Sequence, residues 1–170
     1  MSTRALRVVA PCLAMALLSL PISCKKTGGK SAVKAAPLIL ERAQGGGSFD
    51  ISSLAGKKPI LLAFFTTWCP YCKQSMPYLQ RFHEKHQGKD IELVGVDANE
   101  SRDKVVGFIK EHGLTFEVLL AGDNERLSQD FPVRYLPTLY LLGKDMTILK
   151  KFEGFHPSAL EEIETLIAAQ

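Results

Sequence analysis

Two cysteines set two residues apart, in Trp68-Cys69-Pro70-Tyr71-Cys72, are the side chains of this sequence best suited to chemistry. A thiolate is both a nucleophile and a metal ligand, and a second thiol at this spacing can close a disulfide with the first. The preceding run Ile60-Leu-Leu-Ala-Phe-Phe65 is continuously apolar, as in a buried strand, and from Pro70 the apolar residues recur every three to four positions, as in a helix. The pair therefore falls where a strand gives way to a helix. A helix start leaves backbone N–H groups unpartnered and carries about half a positive charge, which favours a thiolate there. Cys69, at the mouth, is the expected nucleophile. Cys72, nearly one turn inside, is the thiol that resolves a mixed disulfide. Pro70 lacks an N–H and pre-sets the first turn without losing a hydrogen bond.

Other uses of the pair are open at this point. Half of a zinc site would need two more ligands, and neither a second C-x-x-C nor a paired-histidine motif supplies them. Soft thiolates also hold Cu(I), so a metallochaperone module is an alternative of a different class. His83 and His86 lie three apart on the helix, on what reads as a solvated polar face.

The 170 residues suit one domain with appendages, and 46% hydrophobic with 23% charged residues excludes both a disordered chain and a multi-span membrane protein. Charge is unevenly spread. Residues 1–40 hold six basic and no acidic groups, while the remaining 130 carry 15 basic and 18 acidic ones. The body of the protein is thus mildly acidic, and no nucleic-acid partner is expected.

The basic start has the form of an export signal over residues 1–23. Arg4 and Arg7 precede the apolar run Val8–Ile22, whose fifteen residues reach about 22 Å as a helix, short of the roughly 30 Å hydrocarbon core. The run ends in Leu20-Pro21-Ile22-Ser23-Cys24, which resembles a bacterial lipobox, with Pro21 departing from the pattern. That resemblance implies a lipid on Cys24, cleavage before it, and anchorage at a membrane. Lys25, rather than Asp, is compatible with the outer membrane of a two-membrane host. Residues 24–47 are basic and glycine-containing and read as a flexible tether, with Pro37-Leu38-Ile39-Leu40 able to pack on the domain at 48–170. Of four cysteines, Cys12 lies in the signal and Cys24 is the lipid site. Cys69 and Cys72 are then the only thiols of the mature protein, which argues for chemistry rather than a disulfide scaffold.

Beyond the first helix, Ile91–Asp97 is a strand, Lys104–His112 a helix stopped by Gly113, Phe116–Leu120 a strand and Glu125–Phe131 a short helix. Thr138–Leu142 and Thr147–Phe152 form a hairpin about Gly143-Lys144-Asp145. A last helix, Ala159–Ala168, is opened by a capping box of Ser158 and Glu161. The order β-α-β-α-β-α-β-β-α predicts an α/β fold, a mixed central sheet with helices on both faces.

Trp68–Cys72, with Phe49-Asp50-Ile51…Leu54-Ala55-Gly56-Lys57 upstream and Met76-Pro77 and Leu136-Pro137-Thr138 downstream, resembles the TlpA/ResA-type thiol–disulfide oxidoreductases of the thioredoxin superfamily. The resemblance implies a thioredoxin fold with that group's β-α insertion, here about 91–120. Its cofactor is the redox-active Cys69–Cys72 disulfide, with no metal. Pro137 falls where the family has a cis-proline facing the dithiol, and Leu136 would offer backbone groups to an extended client. Trp68 matches a tryptophan covering the dithiol, with Pro70 and Tyr71 beside the client. Glu100 falls where a carboxylate lies near the buried cysteine and could exchange a proton with Cys72. Implied partners are exported protein thiols and disulfides, apocytochrome c among them, and a membrane thiol electron donor. Two departures bear on chemistry. Ala63 stands where thioredoxins carry a buried Asp, and Pro70-Tyr71 is the glutaredoxin dipeptide. A peroxiredoxin-like peroxidase is a rival on Thr66-x-x-Cys69, but Leu62 occupies its proline position.

Overall fold

A computed structural model of the chain describes residues 38–169; the export signal and Cys24 lie outside them. Seven strands and four helices occur among the described residues. They are β1 (Ile39–Arg42), β2 (Ser48–Asp50), β3 (Ile60–Phe65), α1 (Pro70–His86), β4 (Glu92–Asp97), α2 (Arg102–His112), β5 (Glu117–Leu120), α3 (Glu125–Asp130), β6 (Thr138–Leu142), β7 (Ile148–Glu153) and α4 (Pro157–Ala168). The sheet order is β2-β1-β5-β4-β3-β6-β7. β3, β4 and β5 are parallel, and the remaining neighbours are antiparallel.

β3 lies near the middle, and all six of its residues are buried, which is why it reads as an unbroken apolar run rather than an alternating one. Leu61, Ala63 and Phe65 face one side, where α1 contributes Met76, Leu79 and Phe82, α2 contributes Val105 and Phe108, and α4 contributes Ile163. Ile60, Leu62 and Phe64 face the other, against Leu127 of α3, Phe131, Leu38, Leu40 and Ile51. The 91–120 segment becomes β4, α2 and β5, extending the parallel part of the sheet away from β3.

Residues 38–47, expected to belong to the tether, are part of the fold instead. β1 pairs with β5 and β2, and Leu38 and Leu40 are buried. Arg102 of α2 donates to the carbonyl of Ala43 at 3.1 Å and pairs with Glu41 at 2.7 Å, and Arg42 pairs with Glu117 of β5. Gly45–Gly47, which read as linker, turn the hairpin between β1 and β2. Their φ values of 73°, 69° and 74° are left-handed, a run that glycine alone adopts readily. Composition cannot separate a glycine-rich turn from a glycine-rich linker; the pairing partner β5, some 75 residues away, decides it.

Two smaller expectations also change. α4 begins at Pro157 after His156, and no side chain caps it, so Ser158 sits inside the helix and the Ser158–Glu161 box does not form. His83 is buried, its ring meeting Phe116 edge-on, and His86 lies 3.0 Å from Glu164. The face of α1 that looked solvated is covered by the segment before β5 and by α4. Gln80 there holds Thr115 by two hydrogen bonds, of 2.7 and 2.9 Å.

Candidate active site

Cys69 is the N-cap of α1, in extended conformation, with Pro70 at the first helical position. Its Sγ accepts the N–H of Cys72 at 3.3 Å, a donor placed to complement negative charge on that sulfur. On the other side the same Sγ lies 3.7 Å from the carbonyl oxygen of Leu136, to which a thiol can donate. Both thiols are free. Cys72 is fully buried, and burial pushes its thiol well above the ordinary range, helped by its hydrogen bond with Cys69; the Thr66 backbone opposes this more weakly. Cys72 is therefore a neutral thiol across the physiological range.

The Leu136–Pro137 peptide is cis. Thr138 Oγ1 donates to the Tyr135 carbonyl at 2.6 Å, closing the loop on itself, and the Gly154 N–H donates to the Pro137 carbonyl at 2.8 Å, tying the loop to the end of β7. Beside it opens a cleft of about 520 Å³ lined by Tyr71, Tyr135, Leu136, Gly154, Phe155 and His156. Trp68, Tyr71 and Tyr135 are 68%, 68% and 64% exposed, unusual for large aromatics and fitting for a surface that meets another molecule. Trp68 is not part of the core.

Glu100 lies between β4 and α2, and its carboxylate reaches back to Thr67, two residues before Cys69. It accepts the Thr67 N–H at 2.5 Å and the Thr67 hydroxyl at 2.8 Å. Both carboxylate oxygens are thus engaged by the loop in front of the dithiol.

Sequence reasoning passed over Asp97. It ends β4 and is fully buried, and its carboxyl is pushed up to about 7 by burial, partly opposed by the Glu100 N–H it accepts and reinforced by the Glu100 carboxylate. Its phase carried the signal. Leu93, Gly95 and Asp97 alternate onto the sheet face that α1 and α2 cover, so an acid in that series points inward.

A dithiol at a helix start, one thiol shielded and the other against a cis-proline loop, on a sheet of this topology, defines the thiol–disulfide oxidoreductases of thioredoxin fold. Comparison with known proteins agrees. The Redoxin family pattern matches residues 29–167. Thiol-disulfide oxidoreductase ResA of Bacillus cereus is 31% identical over 121 residues, 71% of this chain and 69% of that one. Sporulation thiol-disulfide oxidoreductase A of Bacillus subtilis (strain 168) is 31% identical over 118 residues, 68% and 70% of the two chains. The crystal structure of StoA from Bacillus subtilis superposes with a TM-score of 0.65 at 27% identity, over 78% of this chain and 98% of that one. A thiol:disulfide interchange protein of Chlorobium tepidum TLS shares the fold at a TM-score of 0.69 and 19% identity, over 80% and 96%. The chain belongs to the Redoxin family, as a ResA-like thiol–disulfide oxidoreductase of the thioredoxin superfamily.

Proposed function

We propose that this protein exchanges disulfides with exported proteins through Cys69 and Cys72, as a reductant held at the outer side of a bacterial membrane by a lipid on Cys24. The observation that carries the chemistry is the position of Cys69 Sγ, between the Cys72 N–H at 3.3 Å and the Leu136 carbonyl at 3.7 Å.

The Cys69 thiolate attacks one sulfur of a client disulfide. A Cys69–client bond forms, the client S–S bond breaks, and the other client sulfur leaves as a thiolate that takes up a proton. Cys72, shielded and protonated until then, attacks Cys69 Sγ, and its proton passes to the second client sulfur as that sulfur leaves. The Cys69–Cys72 disulfide closes and the second client sulfur departs, so two electrons have passed to the client. Leu136 and Pro137 form the edge on which an extended client lies, and Trp68 and Tyr71 flank it. In an oxidising compartment the disulfide returns to the dithiol only through a thiol electron donor in the membrane. Apocytochrome c with its cysteine pair oxidised to a disulfide is a client class of the right chemistry, and relatives named as thiol-disulfide oxidoreductases support a disulfide over a peroxide substrate.

Insulin reduction by the purified protein tests the reading. Cys69→Ser should abolish turnover, and Cys72→Ala should accumulate a covalent mixed disulfide visible by mass spectrometry. Undiminished turnover in Cys69→Ser would overturn it. Direction is tested by equilibrating the dithiol with glutathione or dithiothreitol. A potential near the thioredoxin value of about −270 mV fits a reductant, and one near about −120 mV would make the protein a disulfide donor.

A further inference from the structure

Among the described residues Asp97 is the only carboxylate that is fully buried, and one of its oxygens, Oδ2, has no hydrogen-bond partner. A buried carboxyl so poorly satisfied is costly, and a chain that keeps one in place of an apolar residue has a use for it. The Thr66 hydroxyl, one residue past the end of β3, is likewise buried without a partner.

The use is legible in a connected series of hydrogen bonds. Asp97 is paired in register with Phe65, the last residue of β3, and the Ala98 N–H donates to the Phe65 carbonyl at 3.0 Å. Asp97 Oδ1 accepts the Glu100 N–H at 2.7 Å and so closes the turn of residues 97–100. That turn aims the Glu100 side chain at Thr67, where both carboxylate oxygens are taken up, one by the N–H and one by the hydroxyl. Thr66 and Thr67 make the exit from β3 toward Cys69, whose own N–H donates to the Thr66 carbonyl at 3.4 Å. Glu100 lies in neither a strand nor a helix, so its backbone is set locally, and a turn closed by Asp97 is what gives its two-pronged hold a fixed origin.

We propose that Asp97 is a positioning residue for the dithiol: by holding the Glu100 N–H it directs the Glu100 carboxylate onto Thr67 and thereby sets the turn that presents Cys69 at the start of α1. The proposal rests on Cys69 being the attacking thiol. The charge of Asp97 is not what the device needs; it needs an acceptor at Oδ1. Asparagine should therefore substitute and alanine should not, and removing Asp97 or Glu100 should break the same link.

The test is the rate at which iodoacetamide alkylates Cys69, followed on its own peptide by mass spectrometry, in the reduced full-length protein, measured beside insulin turnover. The variants are Asp97→Ala, Asp97→Asn, Glu100→Ala and the double variant Asp97→Ala/Glu100→Ala. Expected are losses of about tenfold in both readouts for each alanine variant, a double variant no slower than the singles, and Asp97→Asn within about twofold of the parent. A parental rate in Asp97→Ala, losses that multiply in the double variant, or an Asp97→Asn variant as slow as Asp97→Ala would each overturn the proposal. If Asp97→Ala does not fold, Asp97→Val, which fills the buried site without offering an acceptor, takes its place with the same expectations. Alkylation reports on Cys69 whatever the client, so failure of the positioning link stands apart from failure of the function, which would appear as turnover that survives Cys69→Ser.

Discussion

The Cys69 sulfur and the Leu136 carbonyl oxygen stand 3.7 Å apart although 67 residues separate them in the chain. This contact joins the helix that carries the dithiol to the loop before β6. Under the proposed function, a client strand lying on that loop would come alongside the Cys69 sulfur.

Because that contact depends on the loop, loosening the loop should slow exchange while leaving the thiols intact. Thr138→Val keeps shape but removes the 2.6 Å bond to the Tyr135 carbonyl. We expect a stability loss of about 1 kcal/mol by denaturant melt and a several-fold fall in insulin turnover. Unchanged turnover would show that the loop is held by β7 alone.

Cys72 should be the silent thiol. Its folded thiol is raised above the ordinary 9.0, so above that pH the unfolded chain loses a proton the folded chain keeps. The reduced protein should therefore lose stability as pH rises beyond 9, and Cys72→Ala should flatten that decline. At pH 8 iodoacetamide should label Cys69 and leave Cys72 unlabelled, as peptide mass mapping would show. Rapid labelling of Cys72 would contradict its burial.

Asp97 carries a stability cost with a defined pH window. In the unfolded chain it titrates near 3.8, in the folded chain at about 7, so between those values the folded state binds the extra proton and stability falls as pH rises. Asp97→Asn should match the parent near pH 4 and exceed it above pH 7, with a ceiling on the order of 4 kcal/mol. Urea melts at both pH values decide it; parallel stability profiles would mean that Asp97 does not titrate in this window.

Gly95 is required by packing. A Cβ there would stand 3.0 Å from the Phe116 ring and 3.3 Å from both the Phe65 ring and Val118. Gly95→Ala should destabilise by about 1–3 kcal/mol in a thermal or chemical melt, since a filled core can yield only by moving rings off their rotamers. Because Asp97 lies two residues on along the same strand, the variant should slow exchange as well.

Much of the fold was readable because local physics and tertiary context agree. The β3 run is apolar throughout because both of its faces are covered, and α1 spans Pro70–His86, as its periodicity and its proline start indicate. Disagreement appears where a distant partner decides. β1 is four residues beside three glycines, and only pairing with β5 makes it a strand. His83 carries a polar label, but Phe116 closes over it.

At the site the same division holds. The identity and spacing of Cys69 and Cys72, set between an apolar strand and a helix start, narrowed the chemistry to thiol exchange or soft-metal binding by themselves, because a thiol pair at a helix mouth depends on neighbours within one turn, and the family resemblance chose between the two. The Pro137 loop was reachable through family resemblance, whereas its approach to Cys69 needed the chain closed on itself. The tertiary structure alone decided that Glu100 holds Thr67 and that Asp97 stands behind it. Those links run between the ends of adjacent strands some thirty residues apart. A carboxylate's role there depends on burial and on which N–H groups surround it, and neither is written into the residues beside it in sequence.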